Sequence, residues 1–478
     1  MQRVTPDRLW PLFDVAAMRD IEHLAAQGLP AHTLMQRAGL ALARLALALA
    51  PHSRTIWIAC GPGNNGGDGL EAAMHLKQWG KDVALTWCGD EQRAPADALA
   101  SLARARQAGV AFHSAPPASW DLAIDAMLGL GNTRALEGIM ADWARTMNAA
   151  AAPVLAVDLP SGLHADTGTG DAVQAAHTLS LLALKPGLFT AKGRDAAGQV
   201  WLHDLSIITP TSAPSAWLHA PSHSTTGPHD SHKGSYGDVA VIGGAAGMTG
   251  AALLAASAAL HAGAGRVFAC LLCADGPHVD TAQPDLMFRA WDGLDLKSLA
   301  VACGCGGGDA VRAVLPRVLS GARDLVLDAD ALNAIAGDTA LQTLLKSRTT
   351  RGKPTVLTPH PLEAARLLNI DARAVQQDRL RAARELAERF GCVIVLKGSG
   401  TIIAAPQQPH LINPTGNSRL ATAGTGDVLA GMIVARMASG APARQAAADA
   451  VHAHGLAADL WPQDHAFTAS LLARSLVR

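Results

Sequence analysis

Two α/β domains joined by a linker are what this chain predicts, and three observations carry that expectation. Its 478 residues exceed what one hydrophobic core usually holds. In both halves, short Val-, Ile- and Leu-rich runs alternate with longer segments whose apolar residues recur at helical spacing. Between the halves, TPTSAPSAWLHAPSHSTTGPHDS is rich in Pro, Ser, Thr and His and shows no periodicity, as a linker does. The expected boundaries are 1–208 for the first domain, 209–231 for the linker and 232–478 for the second domain.

Composition narrows the class. Hydrophobic residues at 49% and charged ones at 17% leave ample material for buried cores and exclude extensive disorder. A formal charge of −1 gives no overall attraction to nucleic acid or to an anionic membrane, so neither is an expected partner. The opening MQRVTPDRLWPLFD lacks an uninterrupted apolar core, and Leu40 to Ala50 is short and carries Arg44. A soluble, cytoplasmic protein is expected. Seven cysteines are too few for a disulfide framework in so long a chain. Cys270 and Cys273 fall in an apolar run, and Cys303 and Cys305 lie in a glycine loop without a histidine cluster, so neither pair is expected to bind metal.

The first half reads as helical from Pro11 to Ala50, followed by the buried strand RTIWIAC, Arg54 to Cys60. GPGNNGGDG, Gly61 to Gly69, then forms a glycine loop leading into a helix from Leu70 to Trp79. Asn64, Asn65 and Asp68 add side-chain oxygens to it, so the loop can hold an anion and a hard cation side by side. KDVALTW is the next strand, an Ala/Arg helix runs through Arg106, and DLAIDAMLGLGNTR ends a strand at Asp125 before a second glycine loop. APVLAVDLPSG supplies another strand that finishes with Asp158 and Ser161, and HTLSLLALKPGLFT delivers Lys185. In an open α/β sheet, ligands bind beyond the carboxyl ends of strands, so Asn65, Asp125, Asp158 and Ser161 are expected to converge.

In the second half, SHKGSYGDVAVIGGAAGMTGAALLAASAALHAGAG gives a loop, a strand, a glycine turn and a small-residue helix. LVLDADALN, TVLTPHPLE and VIVLKGSGT follow, and ATAGTGDVLAG, Ala421 to Gly431, closes the series. In that last segment Gly424 and Gly426 let several N–H groups point at one anion, and Val428-Leu429-Ala430 opens a helix. Asp427 falls in the first turn, where a carboxylate is stabilised and can take a proton from a bound hydroxyl. The plainer alternative is an Asp N-cap after a glycine turn.

Taken together, these motifs resemble those of the bifunctional NAD(P)H-hydrate repair enzymes, in which an epimerase domain precedes a nucleotide-dependent dehydratase domain. GPGNNGGDG, VDLPSG and ALKPGLFT look like the epimerase signatures, and HKGSYG, GGAAGMTGAA, TPHPLE, LKGSGT and TAGTGDVLAG like those of the dehydratase. The resemblance implies a Rossmann-like three-layer α/β/α domain followed by a ribokinase-like α/β domain. Such enzymes act on NADH or NADPH that has gained water at C6, a product with R and S epimers. The first domain interconverts the epimers, and the second removes water from the S form with ADP or ATP, giving AMP or ADP and phosphate.

Carried over residue by residue, Asn64, Asn65, Gly66, Gly67 and Asp68 would contact the hydrate, as would Gly129, Leu130, Gly131, Asn132, Thr133, Arg134, Ala135 and Asp158. Asn65, Asp125 and Ser161 would hold a potassium ion, with Asp158 as acid/base. In the second domain, Asp427 would be the catalytic base beside His360, with Ala251 or Ala252 and the loop ending at Gly308 lining the substrate pocket. Lys397, Gly398, Ser399, Gly400, Thr401 and Gly426 would bind the adenine nucleotide, which enters with magnesium. A homo-oligomer is the expected assembly.

Two departures stand out. Where relatives tend to have Gly-Pro-Gly-Leu-Gly, this chain has Gly304-Cys305-Gly306-Gly307-Gly308, losing a stiffening proline, and Ala135 stands where proline is expected. The rival reading is a vitamin or sugar kinase of the same C-terminal fold, fused to a non-catalytic binding module.

Overall fold

The computed structural model describes residues 1–131, 135–207, 212–222 and 229–476. Two compact units emerge, Met1–Thr5 with Trp10–Trp217, and Pro6–Leu9 with Leu218–Arg478.

In the first unit the strands lie in the order Gln2–Arg3, Gln199–His203, His177–Leu181, Val154–Val157, Leu122–Ala126, Thr55–Cys60, Asp82–Trp87, Ala111–His113. Only the Gln2–Arg3 pairing is antiparallel. The chain winds outward from Thr55–Cys60 to one edge, then returns to lay Leu122–Ala126 against the other side of Thr55–Cys60. The strand order reverses there, so a crevice opens beyond these two carboxyl ends.

Because a parallel sheet is covered on both faces, its strands are apolar throughout. Ile56, Ile58 and Ile124 pack with Leu42, Leu45, Leu70 and Leu102 from the helices of one layer. Trp57, Ala59 and Ala123 pack with Trp143 and Met147 on the other. This is the three-layer arrangement the sequence predicts.

One local expectation is corrected. The helix after Thr55–Cys60 begins at Asn64 and runs to Gln78, so Gly66, Gly67 and Gly69 are helical and not part of a long loop. Their smallness serves close approach: a Cβ at Gly66 would collide with the Gly61 carbonyl oxygen, and one at Gly69 would crowd Ala126 and Cys60. Packing of the first helical turn onto the strand ends is what demands glycine there.

In the second unit, Met287–Phe288, Arg266–Leu271, Asp238–Gly243, Ala300–Cys303, Asp324–Leu327, Thr355–Leu357 and Val393–Leu396 form a parallel series. Ile402–Ala404 and His410–Ile412 continue it antiparallel. The helix Thr249–His261 is nearly all small and apolar, which lets Thr425–Ala438 come close enough that a Cβ at Gly431 would strike the Ala255 carbonyl. Among the described residues, no helix is long and apolar enough to cross a membrane.

The segment read as a linker holds more structure than its composition suggests. Ala216–Leu218 is a strand, and His219 N donates to Ile412 O at 2.8 Å. His219 lies 3.4 Å from Asp449, which also accepts from Ser222 N and Ser222 Oγ. These bonds and that of Gln445 hold Asp449 well below the usual carboxylate range although burial pushes it up. A hydrogen bond to a charged group contributes about 1.5–3 kcal/mol. A C-terminal fragment beginning at Leu218 should therefore melt several degrees above one beginning at His232, as differential scanning calorimetry would show.

Candidate active sites

In the first unit a cavity of about 690 Å³ opens at the switch point, walled in part by Asn64, Asn65, Asp68, Gly129 and Asp158. Asp158 follows the strand Val154–Val157 and adopts φ 65°, a conformation costing on the order of 1–3 kcal/mol for a non-glycine residue. Its Oδ1 accepts from Lys185 Nζ and, at 3.1 Å, from Leu181 N. Lys185 is 0% exposed and donates also to Ser180 Oγ at 3.2 Å and Leu181 O at 3.1 Å. A buried ammonium so saturated fixes the carboxylate's position at the cavity wall.

Asp125 is 0% exposed, and every donor to it is neutral: Ser161 Oγ at 2.6 Å, Ser161 N at 2.7 Å and Met127 N at 3.2 Å. Burial pushes its pKa up to about 6 against those bonds. Ser161 Oγ in turn accepts from Leu128 N, and the next residue, Gly129, lies against the Asn65 side-chain amide. Asn65 Nδ2 is buried without a hydrogen-bond partner. A buried carboxylate bonded to the Ser161 hydroxyl, and paired with no cation among the described residues, offers oxygen atoms that suit a hard monovalent cation and not zinc.

In the second unit, Gly424 at φ 91° caps the helix Thr425–Ala438, and Asp427 lies in its first turn. The thiol of Cys305 and the carboxylates of Asp328 and Asp427 all lie within 4.8 Å of one another. Burial, then the Asp328 charge, raises the Asp427 pKa to about 7. Asp328 accepts from Lys397 Nζ at 2.7 Å and Thr358 Oγ1 at 2.8 Å. Burial alone would lower the Lys397 pKa, but Asp328 and Glu363 raise it instead. Lys397 Nζ lies 3.4 Å from where a Cβ at Gly426 would stand, so these charges face the glycine turn.

Asp328 and Asp330 diverge because Ala329 between them adopts φ 49° and ψ −116°. Asp330 then accepts from Gly308 N at 2.8 Å, tying the strand-end turn to the glycine loop. His360 caps Pro361–Leu368 through a reciprocal pair with Glu363, its Nε2 3.3 Å from Glu363 Oε1. Burial and the nearby Lys397 lower the His360 pKa. The turn after Val393–Leu396 bends at Gly398, φ 134°, over the guanidinium of Arg379, which donates to Leu396 O and Lys397 O at 3.2 Å.

The family described as NAD(P)H-hydrate dehydratase matches residues 239–478, and that described as YjeF-related protein N-terminus matches 31–187. A bifunctional NAD(P)H-hydrate repair enzyme of Escherichia coli (strain K12) is 35% identical over 484 residues, covering 95% of this chain and 90% of the relative. The chain belongs to this family of bifunctional NAD(P)H-hydrate repair enzymes. An ADP-dependent (S)-NAD(P)H-hydrate dehydratase of Neisseria meningitidis serogroup B is 42% identical over 251 residues, 51% of this chain and 83% of the relative. The crystal structure of a Bacillus subtilis ADP/ATP-dependent NAD(P)H-hydrate dehydratase, co-crystallized with ATP and Mg²⁺, aligns with 52% of this chain and 90% of its own at 32% identity and a TM-score of 0.45. The first unit of this repair-enzyme chain, with its mainly parallel sheet, contains the YjeF-related match and the second, also mainly parallel, the dehydratase match.

Within that family frame, Asn64, Asn65, Asp68, Gly129, Leu130, Gly131 and Asp158 share one cavity wall, whereas Gly66 and Gly67 are buried beneath it. Asn132, Thr133 and Arg134 lie outside the described residues, and Ala135 is exposed. Ala252 is 0% exposed, its methyl against the position of Gly244, while half-buried Ala251 faces Gly306. The residues missed in the sequence are Asp328, Glu363, Arg379 and the Cys305 side chain. Asp328 sits inside a quoted motif but meets Lys397 only through the fold, whereas Glu363 pairs with His360 three positions away in its own motif.

Proposed function

We propose that the first unit interconverts the R and S forms of hydrated NADH and NADPH, and that the second dehydrates the S form with ADP or ATP. The observation that carries this reading is Asp427: a carboxylate whose pKa is raised to about 7, in the first turn of a helix entered through a positive-φ glycine. Hydroxide leaves poorly. Asp427 takes the proton of the C6 hydroxyl, whose oxygen attacks the terminal phosphoryl group; the phosphate then departs as the ring nitrogen's electron pair forms a C6=N1 iminium, and loss of a C5 proton restores the C5=C6 double bond and the nitrogen's electron pair. Backbone N–H groups at the start of Thr425–Ala438 face the charge on the phosphoryl oxygens. Lys397, held by Asp328, adds a positive charge beside Gly426, and magnesium enters with the nucleotide. Gly398 to Thr401 bind the nucleotide, and His360 and Ala251 border the hydrate.

In the first unit Asp158 exchanges the proton. Asn65, Asp125 and Ser161 would hold potassium, which supplies a fixed positive charge beside the substrate loops. Purified protein with mixed hydrate epimers should restore reduced-nicotinamide absorbance only when ADP or ATP is added, releasing phosphate. Net phosphorylated product with no absorbance gain would instead identify a kinase. Epimerisation should quicken with potassium more than with lithium, and Asp125→Asn should erase that difference; a potassium-independent wild-type rate would remove the ion from the site.

A further inference from the structure

Asp68 sits in the same cavity wall as Asp158, and among the described residues it is left without a partner. Asp158 is held by Lys185, and His32 Nδ1 lies 2.5 Å from Asp97. Glu22, at the rim, has the charge of Arg19 near it. Asp68 makes no hydrogen bond or ion pair with any described residue, and it keeps part of its surface open to the cavity although protein atoms crowd it. Four carboxyl groups line one cavity, and among the described residues no cation pairs with Asp68, which is therefore the one most stable holding its proton.

We propose that Asp68 is a second acid–base residue of the epimerase site, giving its proton to the substrate's ring nitrogen while Asp158 receives that of the C6 hydroxyl. This rests on the reading of the first unit as an epimerase. C6 of the hydrate bears both a hydroxyl and the ring nitrogen, so it is a hemiaminal carbon that opens without any other reactant. Asp158 removes the hydroxyl proton and a C6=O bond forms. The C6–N1 bond breaks with its electron pair going to N1, which takes the proton of Asp68. After rotation about C5–C6, Asp68 takes that proton back and N1 attacks the other face of the carbonyl. Its oxygen recovers the proton from Asp158, and the two residues end as they began. Two carboxyl groups with opposed environments are the arrangement such a reaction needs.

The pKa directions agree: burial first, then the charges of Asp158, Glu22, Glu71 and Asp97, push Asp68 well above the usual carboxylate range. Facing it are also Lys185 behind Asp158, Arg19 and His23 from Val15–Ala26, and the Cys60 thiol. The wild-type epimerisation rate should therefore fall at high pH as Asp68 loses its proton.

The test is epimerisation by the full chain across pH, with the two epimers separated chromatographically, for wild type, Asp68→Asn and Asp68→Glu. Asp68→Asn keeps the shape but cannot deliver a proton, so kcat should fall about 10²–10⁴-fold with KM within about threefold, and the alkaline limb should vanish. Asp68→Glu should keep part of the rate and move that limb. Dehydration of pure S epimer by either variant should match wild type and so report an intact fold. A raised KM with unchanged kcat in Asp68→Asn, or an alkaline limb that persists in it, would overturn the proposal. Should Asp68→Asn fail to fold, an Asp68→Glu limb identical to wild type overturns it equally. Wild-type protein no faster than the spontaneous reaction would instead remove the epimerase reading, and this inference with it.

Discussion

Asp427→Asn should lower nucleotide-dependent dehydration about 10²–10⁴-fold, the usual effect of removing a general base, while the hydrate epimers still equilibrate at the wild-type rate. The amide keeps the shape of the side chain in the first turn of Thr425–Ala438 but cannot accept the C6 hydroxyl proton. The acting form of Asp427 is the carboxylate, and burial beside Asp328 raises its pKa to about 7. The sign follows: wild-type dehydration should rise with pH through about 7 and level off above it, and the residual rate of the variant should lack that rise. Stopped-flow recovery of absorbance with pure S epimer and saturating nucleotide measures both. Wild-type dehydration by Asp427→Asn would end the reading of the Gly424 turn as the reaction centre.

The converse variant, Asp158→Asn, should abolish epimerisation by a similar about 10²–10⁴-fold and leave dehydration of the S form intact. Asparagine tolerates the left-handed conformation that Asp158 adopts at φ 65°, so the backbone turn survives the change. With mixed epimers and nucleotide, the variant should consume the S fraction quickly and then stall, limited by spontaneous conversion of the R form. Wild-type protein should show no stall. A single fast phase in Asp158→Asn would assign the proton transfer elsewhere.

These two centres differ in how far the sequence reveals them. Asp427 is legible because its placement depends on a local pattern, a glycine turn running into a helix, and the structure keeps that pattern intact. Asp125 and Asp158 are legible as strand ends, since the alternation of strands and helices fixes which ends meet. Lys185 is visible as a residue, but its bond to Asp158 spans 27 positions and depends on how His177–Leu181 lies beside Val154–Val157. Asp328 and Lys397 pair across 69 positions for the same reason. The helix start at Asn64 is hidden because a glycine-rich run reads as a loop, whereas here the glycines permit contact between backbones. The strand Ala216–Leu218 was hidden by its Pro- and Ser-rich neighbours, which describe the flanks and not the buried residues.

The strained alanine at position 329 sets heat tolerance against turnover. Glycine would relieve φ 49° at no steric cost, so selection for resistance to unfolding alone favours losing that methyl group. The same methyl narrows the conformations open to the turn that aims Asp328 at Lys397 and Asp330 at Gly308. A lineage that kept only the most durable variants would drift towards a looser turn, and a relative from a hot habitat that still holds a side-chain-bearing residue there would be retaining it for the reaction.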